Sequence, residues 1–396
     1  MLTSLALLFL AGLFLGAVAQ RLGLPRLVGL LAAGILLGPH ALDLLDASIL
    51  SVSAQLRQMA LVIILIKAGL SLRLEDLKKV GRPALLLSFL PAGFEIMGVI
   101  LLAPPLLKVS RMEAAVMGAV LGAVSPAVVV PRMVKLMEEG RGTKKGIPQM
   151  ILAGASLDDV FVIVLFTTFV GMAQGEGADW RTLAGAPVSI LLGLAAGAGV
   201  GSLLARVFRA VPMESLKKGM VVLSLSFLLV GLEDLLKEKV PFSGLLAVMS
   251  MALFFSRQGE GRDGKTLSDL FGKLWQGAEV LLFTLVGAAV NLQYTLRAGP
   301  AAVAVIFGAL LVRSVGTGLC TAGTALTPQE RLYCVLAYVP KATVQAAIGG
   351  VPLALGLPCG ELILSAAVIA ILLTAPLGAF AMDWAGAKLL EQPEKI

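Results

Sequence analysis

Long apolar runs follow one another along nearly the whole chain, separated by short polar stretches. Each run, about 18–25 residues, is long enough to cross the roughly 30 Å hydrocarbon layer of a bilayer as an α-helix. The pattern predicts thirteen spans, at 3–20, 24–40, 55–72, 83–107, 113–137, 147–172, 186–206, 216–233, 240–256, 275–296, 300–324, 331–354 and 360–384. No soluble domain interrupts them. The longest connection, "SRQGEGRDGKTLSDLFGK" (256–273), reads as a basic loop, so 1–396 reads as a single transmembrane domain. The start, "MLTSLALLFLAGLFLGAVAQ", imitates a secretory leader through "AVA" but has no positive n-region, and it reads as a retained first helix.

Composition agrees with a polytopic all-α membrane protein: 58% of the residues are hydrophobic and 14% charged, more apolar surface than a soluble chain of this size can bury. The net charge of +7 does not point to nucleic acid, because no basic patch is interleaved with aromatics. The positive charges follow topology instead. If alternate loops are assigned with the N-terminus outside, 22 of the 32 Lys and Arg fall on the inner side and 7 on the outer, leaving Lys67, Arg313 and Lys341 within spans. That asymmetry predicts an external N-terminus, a cytoplasmic C-terminus and an odd number of spans. Cys320, Cys334 and Cys359 have no metal-ligand spacing and read as helix-packing residues, and no cofactor is expected. No phosphate-cradling GxxxxGK[ST] loop occurs, which argues against an ATP-driven pump.

Two spans carry similar interruptions. The fifth contains "GAVSPAVVVP", with Pro126 and Pro131 near its middle; the twelfth contains "AYVPKATVQAAIGG", with Pro340 beside Lys341. Proline removes a backbone donor, and the freed groups are tolerated at membrane depth only where they line a protein cavity. The interruptions lie seven spans apart, so the corresponding helices run in opposite directions. Paired discontinuous helices in an inverted repeat mark the binding site of many secondary transporters.

Charges also fall near mid-span: Glu95, Asp158, Asp159, Arg313 and Lys341. Each costs roughly 2.5–3.5 kcal/mol to insert and so needs a partner or a water-filled path. Neighbours on a helix point about 100° apart, so Asp158 and Asp159 face different surroundings, and their closeness makes them titrate as a coupled unit. A carboxylate that alternates between proton and cation can exchange one for the other. Small hard cations prefer oxygen, and Ser156, Ser125 and carbonyls freed at the fifth-span break could complete a shell around them. Glu95 and Arg313 have opposite charge at similar depth, which predicts a buried ion pair that is either structural or a gate. Lys341 is expected to neutralise helix-end dipoles. Lys67 can snorkel, Glu279 is expected to meet water or Lys273, and His40 reads as a surface residue.

Enzyme readings fit poorly. An intramembrane aspartyl protease needs carboxylates from separate helices, and a metal-dependent prenyl-phosphate transferase needs further acids after the pair, where "DDVFVIVL" has none.

The stretches "LIKAGLSL" (65–72), "LPAGFE" (90–95), "GAVLGAVSPAVVVPRM" (118–133), "KKGIPQMILAGASLDDV" (144–160), "LLVRSVGTG" (310–318) and "VPKATVQAAIGG" (339–350) resemble, in order, those of the monovalent cation:proton antiporter superfamily, and particularly its NHA-type sodium/proton antiporters. The resemblance implies two crossing discontinuous helices and a homodimer in a cell membrane, the bacterial inner membrane. It assigns 1–80 and 175–297 to a dimerisation scaffold and 83–172 and 300–388 to a mobile, ion-binding core. It makes Asp159 the Na⁺- and proton-binding carboxylate and Asp158 its paired neighbour, with Glu95 and Arg313 an ion pair and Lys341 the lysine of the unwound helix. The implied activity is exchange of Na⁺, and of Li⁺ with it, for H⁺; K⁺/H⁺ exchange is the alternative. Many relatives carry "TDP" in the first broken helix, where this chain has "VSPA" (124–127), and some have lysine in place of Arg313. Both departures bear on the number of protons exchanged per cation.

Overall fold

The computed structural model describes residues 1–71, 81–174, 180–211, 213–236, 240, 242–258 and 261–391. Several charges of the topology count, among them Lys78, Lys79 and Lys395, lie outside them. The described residues form helices and no strands. In chain order these are α1 (Leu2–Arg21), α2 (Arg26–Leu37), α3 (Ala47–Ser51), α4 (Ser53–Ser71), α5 (Arg82–Leu87), α6 (Leu90–Leu107), α7 (Arg111–Gly122), α8 (Pro126–Glu138) and α9 (Ile147–Ala173), followed by α10 (Trp180–Ala210), α11 (Ser215–Leu236), α12 (Gly244–Gln258), α13 (Gly261–Ala288), α14 (Leu292–Cys320), α15 (Pro328–Ala337), α16 (Thr343–Ile348), α17 (Val351–Ala354) and α18 (Gly360–Leu389). Among the described residues nine helical stretches are long and apolar enough to cross a membrane, and three shorter apolar ones accompany them.

The chain divides into two compact units. One comprises Met1–Ala54, Leu74–Ala173 and Phe283–Ile396; the other comprises Gln55–Arg73 and Gln174–Leu282. Within the second unit α10 and α12 pack closely, with Gly193, Gly197 and Gly201 of α10 facing the carbonyls of Ser243, Ala247 and Met251. Glycines four apart share one helix face and let the backbones approach. Glu279 has Lys67 as an electrostatic neighbour.

Several boundaries differ from the hydropathy reading, three of them with consequences for the pattern. The stretch read as a basic loop at 256–273 is helical from Gly261, because α13 carries its polar residues on the first half of a 28-residue helix that becomes apolar later. The span expected at 275–296 is divided, α13 ending at Ala288 and α14 starting at Leu292. Pro131 does not interrupt anything: it lies inside α8, and the break is upstream, at 123–125.

The first unit holds both interrupted spans, and local chemistry explains their limits. Helix α7 starts in a capping box in which Ser110 accepts from the Glu113 N–H and Glu113 accepts from the Ser110 N–H. Helix α15 starts the same way with Thr327 and Glu330, and has Pro328 in its first turn. Residues 123–125 are extended, and α8 restarts at Pro126, whose missing N–H is of no consequence in a first turn. Residues 339–342 likewise belong to no helix and link α15 to the short α16.

Candidate functional site

The two links meet. The Ser125 N–H donates to the Pro340 carbonyl at 2.9 Å, and the Pro340 ring sits against α18 at Gly378, where a Cβ would lie 2.4 Å from its Cγ. The Lys341 N–H donates to the Thr374 hydroxyl at 2.9 Å, which fixes the second link to α18 as well.

A helix end leaves carbonyls without partners, and here those of Leu121 and Gly122, with that of Ala123 just beyond, find donors. The Gln345 amide donates to Leu121 O at 3.3 Å and to Ala123 O at 2.8 Å, while its own oxygen accepts the Ala342 N–H at 2.8 Å. Arg313 donates to Gly122 O, and Lys341 Nζ to Ala123 O at 3.3 Å. The negative end of α7 is therefore faced by two cations. On the other side of the break, the Val124 N–H donates to Asp158 Oδ2 at 2.7 Å.

The same cations organise the buried acids. Glu95 on α6 and Arg313 on α14 are brought together by close packing of the two helices, in which Gly98 lies against Ala309 and Val312. Arg313 Nη1 donates to Glu95 Oε2 at 2.6 Å, and Arg313 Nη2 to Asp158 Oδ2 at 3.3 Å. Lys341 Nζ donates to the same Glu95 oxygen. The ion pair expected from sequence is thus part of a cluster of four charges, two acids and two bases. Lys341 does more than face a helix end, because it also pairs with Glu95. All four side chains are at most 2% exposed. The Arg313 guanidinium also lies over the Tyr338 ring, 5.4 Å from its centroid.

Asp159 stands apart from this cluster. Its Oδ1 is buried and has no hydrogen-bond partner among the described residues, although the residue as a whole is 9% exposed. The Ser125 hydroxyl and the second oxygen of Asp158 are likewise buried without a partner among them. The side chain of Ser156 lies outside the described residues. No group of three or more acids, histidines or cysteines placed to hold a metal occurs among the described residues. The free oxygens of Asp159 and Ser125, beside a self-neutralised charge cluster, suit one small cation or one proton.

Gln345, Thr374 and Tyr338 were not singled out from sequence. Gln345 could have been, since it is a polar residue in the apolar stretch that follows Lys341. Thr374 has no such signal within α18.

The model of the family described as "Sodium/hydrogen exchanger, transmembrane" matches residues 5–385. Sodium/hydrogen exchanger 9B2 of Xenopus tropicalis is 35% identical over 352 residues, covering 86% of this chain and 65% of the relative, so the match spans just under two thirds of that protein. The human protein of the same name is 33% identical over 386 residues, covering 94% of this chain and 71% of the relative. The sodium proton antiporter MjNhaP1 of Methanocaldococcus jannaschii superposes with a TM-score of 0.84, covering 98% of both chains at 20% identity, a likeness of fold. Fold, broken-helix crossing and family match agree: the chain belongs to the transmembrane sodium/hydrogen exchanger family.

Proposed function

We propose that the protein is a secondary antiporter that exchanges Na⁺, and Li⁺ with it, for H⁺, with cation and proton competing for Asp159. The observation that carries this reading is the separation of Asp159 from the other buried charges. Glu95, Asp158, Arg313 and Lys341 compensate one another, and the Asp159 carboxylate is left as the acceptor without a protein donor among the described residues. Binding of either ligand excludes the other, which couples the two gradients without ATP. Asp158 serves as a fixed anion that holds the Val124 N–H and Arg313 in place. Ser125 and Ser156 are assigned as oxygen donors to the cation, and the Glu95–Arg313 pair as part of the frame around it.

Alternating access is assigned to movement of a core, 83–172 and 300–388, against a scaffold, 1–80 and 175–297, in a homodimer. Both core segments fall wholly within one compact unit, which supports a core that moves as one body; Met1–Ala54 clusters with that unit too. The inside excess of Lys and Arg supports an external N-terminus and a cytoplasmic C-terminus in a cell membrane, taken to be a bacterial inner membrane. A cation panel in proteoliposomes tests the exchange: with an imposed pH gradient, Na⁺ and Li⁺ are expected to release protons and K⁺ to release few. Equal or greater release by K⁺ contradicts the assigned selectivity.

A further inference from the structure

Two buried polar atoms near the site have no partner among the described residues and are not explained by cation binding at Asp159: the Tyr338 hydroxyl and Asp158 Oδ1. Tyr338 is wholly buried in the turn that ends α15. Its hydroxyl occupies a niche made by Gly154 on α9, where a Cβ would lie 2.2 Å from the phenol oxygen and 2.7 Å from Leu87 Cβ. Gly154 and Asp158 are four residues apart and therefore stacked on one face of α9. A helical side chain leans towards the N-terminus of its helix, so the Asp158 carboxylate leans over the turn that Gly154 leaves open. Asp158 is in addition an electrostatic neighbour of the phenol. Leaving two buried polar atoms unpaired is costly, and a carboxylate can only accept whereas a phenol can donate.

We propose that Tyr338 is a positioning residue for the ion site, its hydroxyl donating to Asp158 Oδ1 through one water. With the Val124 N–H and Arg313 on Oδ2 and the phenol on Oδ1, both oxygens of Asp158 are committed. The cation is then offered one carboxylate, Asp159, and not two. Gly154 has a matching role, because a side chain there would evict the phenol. The inference rests on the antiport reading above.

The test is Tyr338→Phe, which removes one atom and keeps the ring over Arg313. Freed of its donor, Asp158 Oδ1 becomes a second anionic oxygen for the cation, which binds more tightly and leaves more slowly. In proteoliposomes the variant is expected to show a KM for Na⁺ about tenfold lower, the scale of one hydrogen bond to a charged group, together with a lower maximal rate. Na⁺ is also expected to raise the unfolding temperature of the purified variant more than that of the parent. A purely structural role would lower the maximal rate and leave KM alone. An unchanged KM, or an equal Na⁺-induced thermal shift, overturns the assignment. The parent is run alongside: if it shows no Na⁺-driven proton movement the antiport reading fails, and if it does while Tyr338→Phe matches it, only the present inference fails.

Discussion

The Ser125 N–H and the Pro340 carbonyl are joined by a 2.9 Å hydrogen bond, so the two interrupted helices touch backbone to backbone at their unwound links. Each link thereby satisfies part of what the other leaves open. The Gln345 amide completes the crossing by serving carbonyls of α7 from the second link's side. A site built this way depends on side chains that never meet the ion.

Gln345→Leu tests that dependence. It removes the donor to Leu121 O and Ala123 O and the acceptor for the Ala342 N–H, leaving buried backbone groups unpaired at about 1–3 kcal/mol for a group so stranded. Thermal unfolding of the purified variant is expected at a lower temperature than the parent's. An unchanged midpoint would show that the crossing does not need the amide.

Glu95 is shared by Arg313 and Lys341, so its loss strands two cations at once. Breaking a buried ion pair from one side costs about 3–5 kcal/mol, and Glu95→Ala is expected to cost at least that. The check is the unfolding midpoint and the yield of folded protein in detergent. Parent-like stability would contradict the description of Glu95 as the hub of the cluster.

Much of this arrangement was readable in the sequence, for reasons that also set where reading stopped. Hydropathy measures length against a bilayer, so α1, α9 and α18 emerge near their observed positions. It does not report helicity in a polar stretch, and the first half of α13 therefore reads as a loop. Glu95 and Arg313 were paired by sign and depth, but depth carries no information about which way a side chain points around its helix. The further contacts of Arg313 with Asp158, and of Lys341 with Glu95, had to come from packing. Pro126 stands in the first turn of α8, just after the break, whereas Pro131 lies inside the same helix, and hydropathy does not distinguish the two positions.

Glu330 carries a pH dependence outside the ion site. It precedes the twelfth span as read from hydropathy and lies in the capping box of α15, where Lys145 Nζ donates to both its oxygens at 3.0 and 2.8 Å. Burial pushes its carboxyl up, but the hydrogen bonds from Lys145 and Thr327 outweigh burial and hold it below the usual glutamate range. A folded-state value below the unfolded one contributes stability that is fully present above the unfolded value and is lost as pH falls from there through the lower, folded value. The parent's unfolding temperature should therefore drop as pH is lowered from about 5 to about 3, and Glu330→Gln should drop less. Parallel curves would remove Lys145–Glu330 as a stabilising contact.

The charge balance of the site predicts the response to voltage. Arg313 and Lys341 are committed to Glu95, Asp158 and the carbonyls at the end of α7; under the proposed reading Asp159 alone exchanges, and one proton leaves for each cation bound. Exchange should therefore proceed at the same rate whatever membrane potential is clamped across proteoliposomes. A rate that changes with the potential would mean that a further group, Lys341 foremost, gives up or takes a proton in each cycle.

The central claim is that one carboxylate carries cation and proton in turn, and Asp159→Asn tests it most directly. The substitution keeps the shape of the side chain and removes both the charge and the exchangeable proton, while the Glu95, Asp158, Arg313 and Lys341 cluster keeps its partners. Na⁺-driven proton movement in proteoliposomes holding the folded variant is expected to vanish. Parent-like proton movement on addition of Na⁺ would contradict the account.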